Sequence, residues 1–160
     1  MIASLFLIFL SVIVKSLEFN KNAMEIGEFH SVHDRLMRAK LNQEQQTARQ
    51  QARMEAWESM QEQTNKVAEE ILADAEMPRA FGLENKSVDD VSKMMRIDTV
   101  PYAKDEIPKM VDEVVDKNFR LHAGHLGHKY KLKEMLVRAL ENDTALNKYF
   151  DLISELLANQ

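Results

Sequence analysis

Residues 28–77 read EFHSVHDRLMRAKLNQEQQTARQQARMEAWESMQEQTNKVAEEILADAEM, and Pro78 follows directly. This stretch contains neither glycine nor proline, the two residues that most disfavour a helix interior, so it predicts one continuous α-helix. A helix of about 50 residues extends roughly 75 Å at 1.5 Å per residue. That length exceeds a compact domain of this size, and we therefore predict a rod over residues 27–77.

Apolar residues recur along this helix in alternating steps of three and four, which is the spacing of a coiled-coil seam. The predicted rod interface consists of Phe29, Val32, Leu36, Trp57, Met60, Val67 and Ile71. Between the two ends, the same frame passes through polar residues from Gln43 to Arg53. We expect a polar spacer that joins two packing segments and serves assembly with another protein. The alternatives are a long surface helix folded back on the C-terminal domain, or two shorter helices with a break.

The composition limits the fold and the chemistry of the chain. It has 160 residues, 45% hydrophobic and 29% charged, with four glycines, three prolines and no cysteine. This length suits one modest domain with an appendage and excludes a large multi-domain enzyme. Scarce Gly and Pro, together with abundant helix formers, predict an all-α fold. The lack of cysteine excludes disulfides, a cysteine nucleophile and thiolate metal sites.

The N-terminal run from Met1 to Val14 is uncharged. Its large apolar residues are Ile2, Leu5, Phe6, Leu7, Ile8, Phe9, Leu10, Val12, Ile13 and Val14. A membrane-spanning helix needs about 20 apolar residues, with a lower limit of roughly 17. We predict a retained single-pass membrane anchor over residues 1–19. A cleaved secretory signal and a helix buried in a protein core are the alternatives.

The basic residues predict how this anchor is oriented. No Lys or Arg precedes the apolar run, whereas Lys15, Lys21 and Arg35 follow it. Positively charged flanks remain on the cytoplasmic side of a membrane, so we expect the bulk of the chain there or in an equivalent compartment. If residues 1–16 are instead removed as a signal, the protein is secreted.

Residues 78–160 form a predicted small helical domain. Ser87 and Asp90 have the spacing of a capping box, which predicts a short helix after Ser87. A second helix, with Pro108 in its first turn, should run to Phe119, and two further amphipathic helices follow. The last of these helices should begin with a cap at residues 142–144. Four short helices bury a marginal core, so packing against the long helix or a partner is expected.

His122, His125 and His128 are three residues apart and form the candidate metal site. Imidazole nitrogens are good ligands for zinc, copper and nickel. The intervening Gly124 and Gly127 disfavour a rigid helix here. The alternative is a flexible turn whose histidines are partly exposed and cap the C-terminal end of the preceding helix.

Basic residues are concentrated between positions 117 and 138, although the net charge of the chain is −5. The predicted basic patch consists of Lys117, Arg120, Lys129, Lys131, Lys133 and Arg138. Such a patch favours contact with an acidic protein surface, either on a partner or on this protein's own long helix, and secondly with anionic lipid. No recognised nucleic-acid-binding module accompanies the patch, so nucleic acid is a disfavoured partner.

The chain has no nucleophile elbow, phosphate-binding glycine loop or dinucleotide fingerprint. We therefore expect no catalytic residue, and no cofactor other than zinc or another transition metal at the histidines. The sequence favours a non-enzymatic structural subunit that is anchored in a membrane, contacts the lipid bilayer and docks on other subunits of a larger complex. Bacterial, organellar and viral assemblies would all suit it. The alternatives are a secreted helical binding protein and a histidine metal-binding protein.

Overall fold

The computed structural model describes the backbone of residues 2–19 and 26–159, and the side chains of residues 4–13 and 32–159. Over this part of the chain the protein is all helical, with 79% helix and no strand, which confirms the predicted all-α class but not the predicted membrane-type character of the N-terminal helix. The helices are α1 (Ile2–Phe19), α2 (Ile26–Ala73), α3 (Met77–Ala80), α4 (Val88–Met94), α5 (Ile107–Asn118), α6 (Leu126–Glu141) and α7 (Thr144–Ala158). A 3₁₀ turn at Lys104–Glu106 leads directly into α5.

The chain divides into two compact units, Met1–Ala48 and Arg49–Gln160, and the division falls within α2. We call them unit 1 and unit 2. The predicted long helix is confirmed, but α2 ends at Ala73, before the proline. The Asp74 carboxylate accepts hydrogen bonds from the backbone N–H groups of Glu76 and Met77. Pro78 then occupies the first turn of α3, where its missing N–H leaves no carbonyl unpaired.

The apolar faces of the helices meet in the hydrophobic core of unit 2. On α6, Leu132, Leu136 and Leu140 recur every fourth residue, so they lie on one face, and all three are buried. The largest fully buried side chains of the core are Met60, Ile71, Met77, Leu83, Met95, Ile107, Phe119, Leu132, Leu136, Leu140, Leu146 and Tyr149. The loops on either side of α4 therefore contribute to the core together with the long helices.

Polar caps fix where the short helices begin. Ser87 and Asp90 form the predicted capping box at the start of α4, with each side chain accepting from the other residue's backbone N–H. Asp143 caps α7 by accepting from the Leu146 N–H at 2.8 Å, and it also accepts from the Ser59 hydroxyl at 2.5 Å. Because Ser59 lies on α2, this buried carboxylate joins the start of the last helix to the longest one.

Candidate functional site

One face of α1 is apolar and exposed. Leu5, Ile8, Phe9 and Val12 follow the i, i+3, i+4, i+7 spacing of a single helix face, and their exposed fractions are 60–67%. We call these four residues the α1 stripe. Leu7, on the opposite side of the helix, is also exposed, and half-buried side chains occupy one flank. A contiguous apolar face of this kind marks contact with a membrane or another protein.

The other predicted anchor residues are either half-buried or outside the described side chains. Phe6, Leu10 and Ile13 form the half-buried side of α1. The side chains of Ile2 and Val14 lie outside the described residues. Within the described part of the chain, none of the helices combines the length and the apolar character that a bilayer crossing requires.

The structure corrects the predicted rod interface at its C-terminal end. Met60, Val67 and Ile71 are at most 3% exposed and belong to the core of unit 2. The heptad spacing of these residues therefore reflects packing within one chain, which is the alternative of a long helix folded back on the C-terminal domain. Within unit 1, Val32 and Leu36 are half-buried, and the side chain of Phe29 lies outside the described residues.

Trp57 borders an open groove of about 440 Å³. The groove is lined by Gln50, Arg53, Met54 and Trp57 on α2 and by Asp98 and Val100 on the connection after α4. Met54 is 59% exposed and Trp57 is half-buried, while Val100 is buried. The groove thus joins apolar side chains to one cation and one anion, and sequence reasoning did not single it out. Met54 lies outside the heptad frame, and Val100 comes from a loop, so helix periodicity gives no signal for either.

Two of the three histidines of the candidate metal site act as helix caps. The Nδ1 atom of His125 accepts a hydrogen bond from the Gly127 N–H at 3.0 Å, and the Nδ1 atom of His128 accepts from the His125 N–H at 3.3 Å. The two rings are stacked with centroids 4.5 Å apart. Their three-residue spacing therefore serves a reciprocal cap at the start of α6.

The remaining contacts of these histidines point away from a common centre. The Nε2 atom of His128 lies 2.9 Å from the Glu76 carboxylate, while the ring of His122 packs close to Gly82. No group of three or more His, Asp or Glu side chains that could hold a metal ion occurs among the residues described. We correct the predicted metal site accordingly, because His128 uses both ring nitrogens in the cap and the Glu76 contact, His125 uses its Nδ1 atom in the cap, and the described structure does not gather the three rings around one centre.

A second contact joins the same two segments. Lys131, one helical turn after His128, donates a hydrogen bond of 2.8 Å to Asp74. This hydrogen bond, with those from two backbone N–H groups, lowers the pKa of Asp74 from 3.8 to about 2. The same bond raises the pKa of Lys131. The turn between α2 and α3 is thus bound to α6 through Asp74 and Glu76.

A cleft of about 430 Å³ lies beside this contact. It is lined by Ala75, Glu76, Arg79, Ala80, Ala123, Gly124 and His128. Gly124 has a φ of +92°, and a Cβ atom at this position would lie 2.6 Å from the His128 ring. Only glycine permits this close approach, so the glycine between the histidines has a structural reason.

Most of the predicted basic patch is neutralised within the chain. Lys129 and Lys133 both pair with Asp116 on α5, at 3.3 and 2.9 Å, and these contacts lower the pKa of that carboxyl. Lys133 also lies 3.5 Å from Asp112, and its own pKa is raised, chiefly by Asp116. The patch therefore contributes to the packing of α6 against α5.

The other members of the patch differ in their contacts. Arg138 pairs with Glu134 one turn before it on α6, at 2.6 Å. Lys131 is bound to Asp74, as described above, so part of the predicted contact with an acidic surface is made to the end of the long helix. Lys117 and Arg120 are exposed. They are the members of the patch for which the described structure shows no acidic partner.

Asp74, Glu76, Asp112 and Asp116 were missed as partners of the basic residues and histidines. The hydrogen bonds of Asp74 to the start of α3 were predictable, since an Asp shortly before a proline is typical of a helix N-terminus. The carboxylates of α5 follow a surface spacing, and nothing in that spacing indicates which basic residue they face. Comparisons of the chain with protein-family models, curated proteins and solved structures found no match.

Proposed function

We propose that this protein is a non-enzymatic assembly subunit that attaches to a membrane through α1 and docks on other protein subunits through its C-terminal helices. The α1 stripe is the observation that carries the proposal, because its four apolar side chains remain exposed on this chain. Lipid is the occupant that suits them best, since the sequence from Met1 to Val14 has no charge. A single crossing, with the bulk of the chain on the cytoplasmic side, stays a prediction from the sequence, because none of the described helices meets the requirements of a span.

The apolar gain from inserting the stripe is substantial. Full burial of a Leu, Ile, Val or Phe side chain contributes about 1.5–3 kcal/mol. The stripe residues expose 60–67% of their surface, so each gains about 1–2 kcal/mol and the four together gain roughly 5 kcal/mol. A lysine near the centre of an inserted helix costs about 3 kcal/mol. One such substitution should therefore weaken membrane binding by about 100-fold.

The polar part of α2 suits a spacer between attachment and docking. Residues 44–51 are all exposed, and their neighbours are polar along this stretch. Glu62 and Lys66 form the predicted ion pair one turn apart at 3.2 Å, which supports an exposed helix surface. On unit 2, Met54 and Tyr102 are 59% and 69% exposed, and residues of these types are enriched in protein interfaces.

Flotation with vesicles of neutral phosphatidylcholine tests the attachment. We expect the full chain to float with the vesicles, Ile8→Lys to lose about 100-fold in binding, and Leu41→Lys to retain it. Leu41 is the matched control because it is a large apolar residue, 53% exposed, on α2 of the same unit. Equal binding of all three proteins, or no flotation of the unchanged chain, would contradict the proposal.

The secreted alternative gives a different result in a separate measurement. Removal of residues 1–16 as a signal would produce a mature protein that begins at Leu17. N-terminal sequencing of the protein made in its native cells therefore decides between retention and cleavage. A start at Leu17 would end the anchor proposal.

A further inference from the structure

The connection between α5 and α6 crosses α3. Two backbone hydrogen bonds attach it to a single acceptor, the Ala80 carbonyl oxygen, which receives the N–H groups of His122 and Ala123 at 2.7 and 3.2 Å. The side chains of His122 and Ala123 are exposed, and Gly124 has a positive φ. Leu121 is half-buried and packs against the hydrophobic core, so the loosely held part of the connection is residues 122–124.

The two ends of the connection are fixed by different kinds of contact. At the first end, Phe119 is 1% exposed and packs edge-to-face against Phe81, with ring centroids 5.7 Å apart. At the second end, the start of α6 is held to the α2–α3 turn by the hydrogen bond between His128 and Glu76 and, one turn later, by the bond between Lys131 and Asp74. The Glu76 side chain is 75% exposed, so its contact with His128 is open to water, whereas the aromatic contact is part of the core.

We propose that residues 122–124 form a strap that opens and closes over α3 as a local unit, with the hydrogen bond between His128 and Glu76 as its closing contact. Ala80, Ala123 and Gly124 all line the 430 Å³ cleft. Ala80 is only 3% exposed while the strap is closed. Opening widens the cleft and uncovers Ala80, while Phe119 keeps the strap attached to the core.

The energetic argument rests on the difference between the strap and the core. Opening breaks two hydrogen bonds to Ala80 and the hydrogen bond between His128 and Glu76, while Leu121 stays packed on the core and Lys131 stays bound to Asp74. Global unfolding, in contrast, exposes the whole buried core. Segments with few buried contacts open at much lower free energy than the structure as a whole. Loss of the charge-assisted contact should raise the open population by about tenfold.

Native-state amide hydrogen exchange of the full chain in detergent micelles tests the strap. In the unchanged protein, the His122 and Ala123 amides should exchange faster than those of Leu136 and Leu140, by a route that urea does not accelerate. Glu76→Ala should raise the exchange of the two strap amides by about tenfold and leave it independent of urea, whereas the two α6 amides keep their urea-dependent route. Glu84→Ala is the control, because Glu84 is exposed and forms no ion pair in the described structure.

Gly124→Ala is a second variant that does not depend on the Glu76–His128 hydrogen bond. An added Cβ would meet the His128 ring at 2.6 Å in the closed strap, so strap exchange should again rise and remain independent of urea. The proposal is overturned if strap and core amides share one urea-dependent route, or if neither variant changes strap exchange.

Discussion

Replacing Ile71 by alanine tests whether the C-terminal part of α2 belongs to the core of its own chain. Ile71 is 0% exposed within the core of unit 2. Truncation of a buried isoleucine to alanine costs about 2–5 kcal/mol, because it removes buried methyl groups and leaves a cavity. A domain of this size is stable by only about 5–15 kcal/mol. The melting temperature should therefore fall by about 10–20 °C.

Urea unfolding followed by the fluorescence of Trp57 measures this effect directly. Trp57 is the sole tryptophan of the chain and lies beside Met60 and the other core residues of α2, so its signal reports on unit 2. The control is Leu41→Ala on the same helix, which is 53% exposed and should change the unfolding free energy by less than about 0.5 kcal/mol. The reasoning is refuted if Ile71→Ala costs less than about 1 kcal/mol and instead dissociates an oligomer in sedimentation.

Three further predictions follow from polar contacts. Since Lys131 lowers the folded pKa of Asp74 from 3.8 to about 2, the stabilisation is complete above about pH 4 and is lost as pH falls towards 2. Urea unfolding free energies of the unchanged protein and Asp74→Asn should differ by about 1 kcal/mol at neutral pH, because solvent screening reduces the effect, and converge near pH 2; a constant difference would argue against this. Asp143→Ala should lower the unfolding free energy by about 2 kcal/mol, because α7 loses its cap and the Ser59 hydroxyl loses its acceptor. Asp143→Asn should keep most of the stability of the unchanged protein, and equal losses in the two variants would contradict the cap. After incubation with zinc and desalting, elemental analysis should find no stoichiometric metal, since His125 and His128 use their Nδ1 atoms in caps, and one zinc per chain would disprove this arrangement.

Helix identity and several helix starts were predictable because their causes are local. The absence of Gly and Pro over residues 28–77 predicted α2, and the Ser87–Asp90 spacing predicted the cap of α4. Pro78 was less informative about the end of α2. Proline disfavours a helix interior but fits a first turn, so Pro78 belongs to the next helix and not to the stop of the previous one.

The partners of individual side chains were not predictable, because they depend on how distant helices pack. A heptad spacing indicates an apolar face but not whether that face meets another chain or the same one, and Met60 shows that it meets the same one. Local charge counting likewise treated Lys133 as available for a partner. The structure pairs Lys133 on α6 with Asp116 on α5, 17 positions earlier in the sequence.

The histidines show a similar limit. A three-residue spacing is common to metal sites and to helix caps. The sequence does not show whether an imidazole nitrogen binds a metal or accepts a hydrogen bond from a backbone N–H group. The cap became evident once the Nδ1 atoms of His125 and His128 were found beside backbone N–H groups. The glycine at position 124, first interpreted as an obstacle to a rigid helix, also permits the close approach of the His128 ring.

The exposed apolar face of α1 is the basis of the proposed membrane attachment, and alkaline extraction of membranes from cells that make the full chain tests it most directly. We expect the protein to remain in the membrane pellet after carbonate treatment and to enter solution only when detergent is added. Release by carbonate alone, or recovery in the soluble fraction before any extraction, would contradict the account.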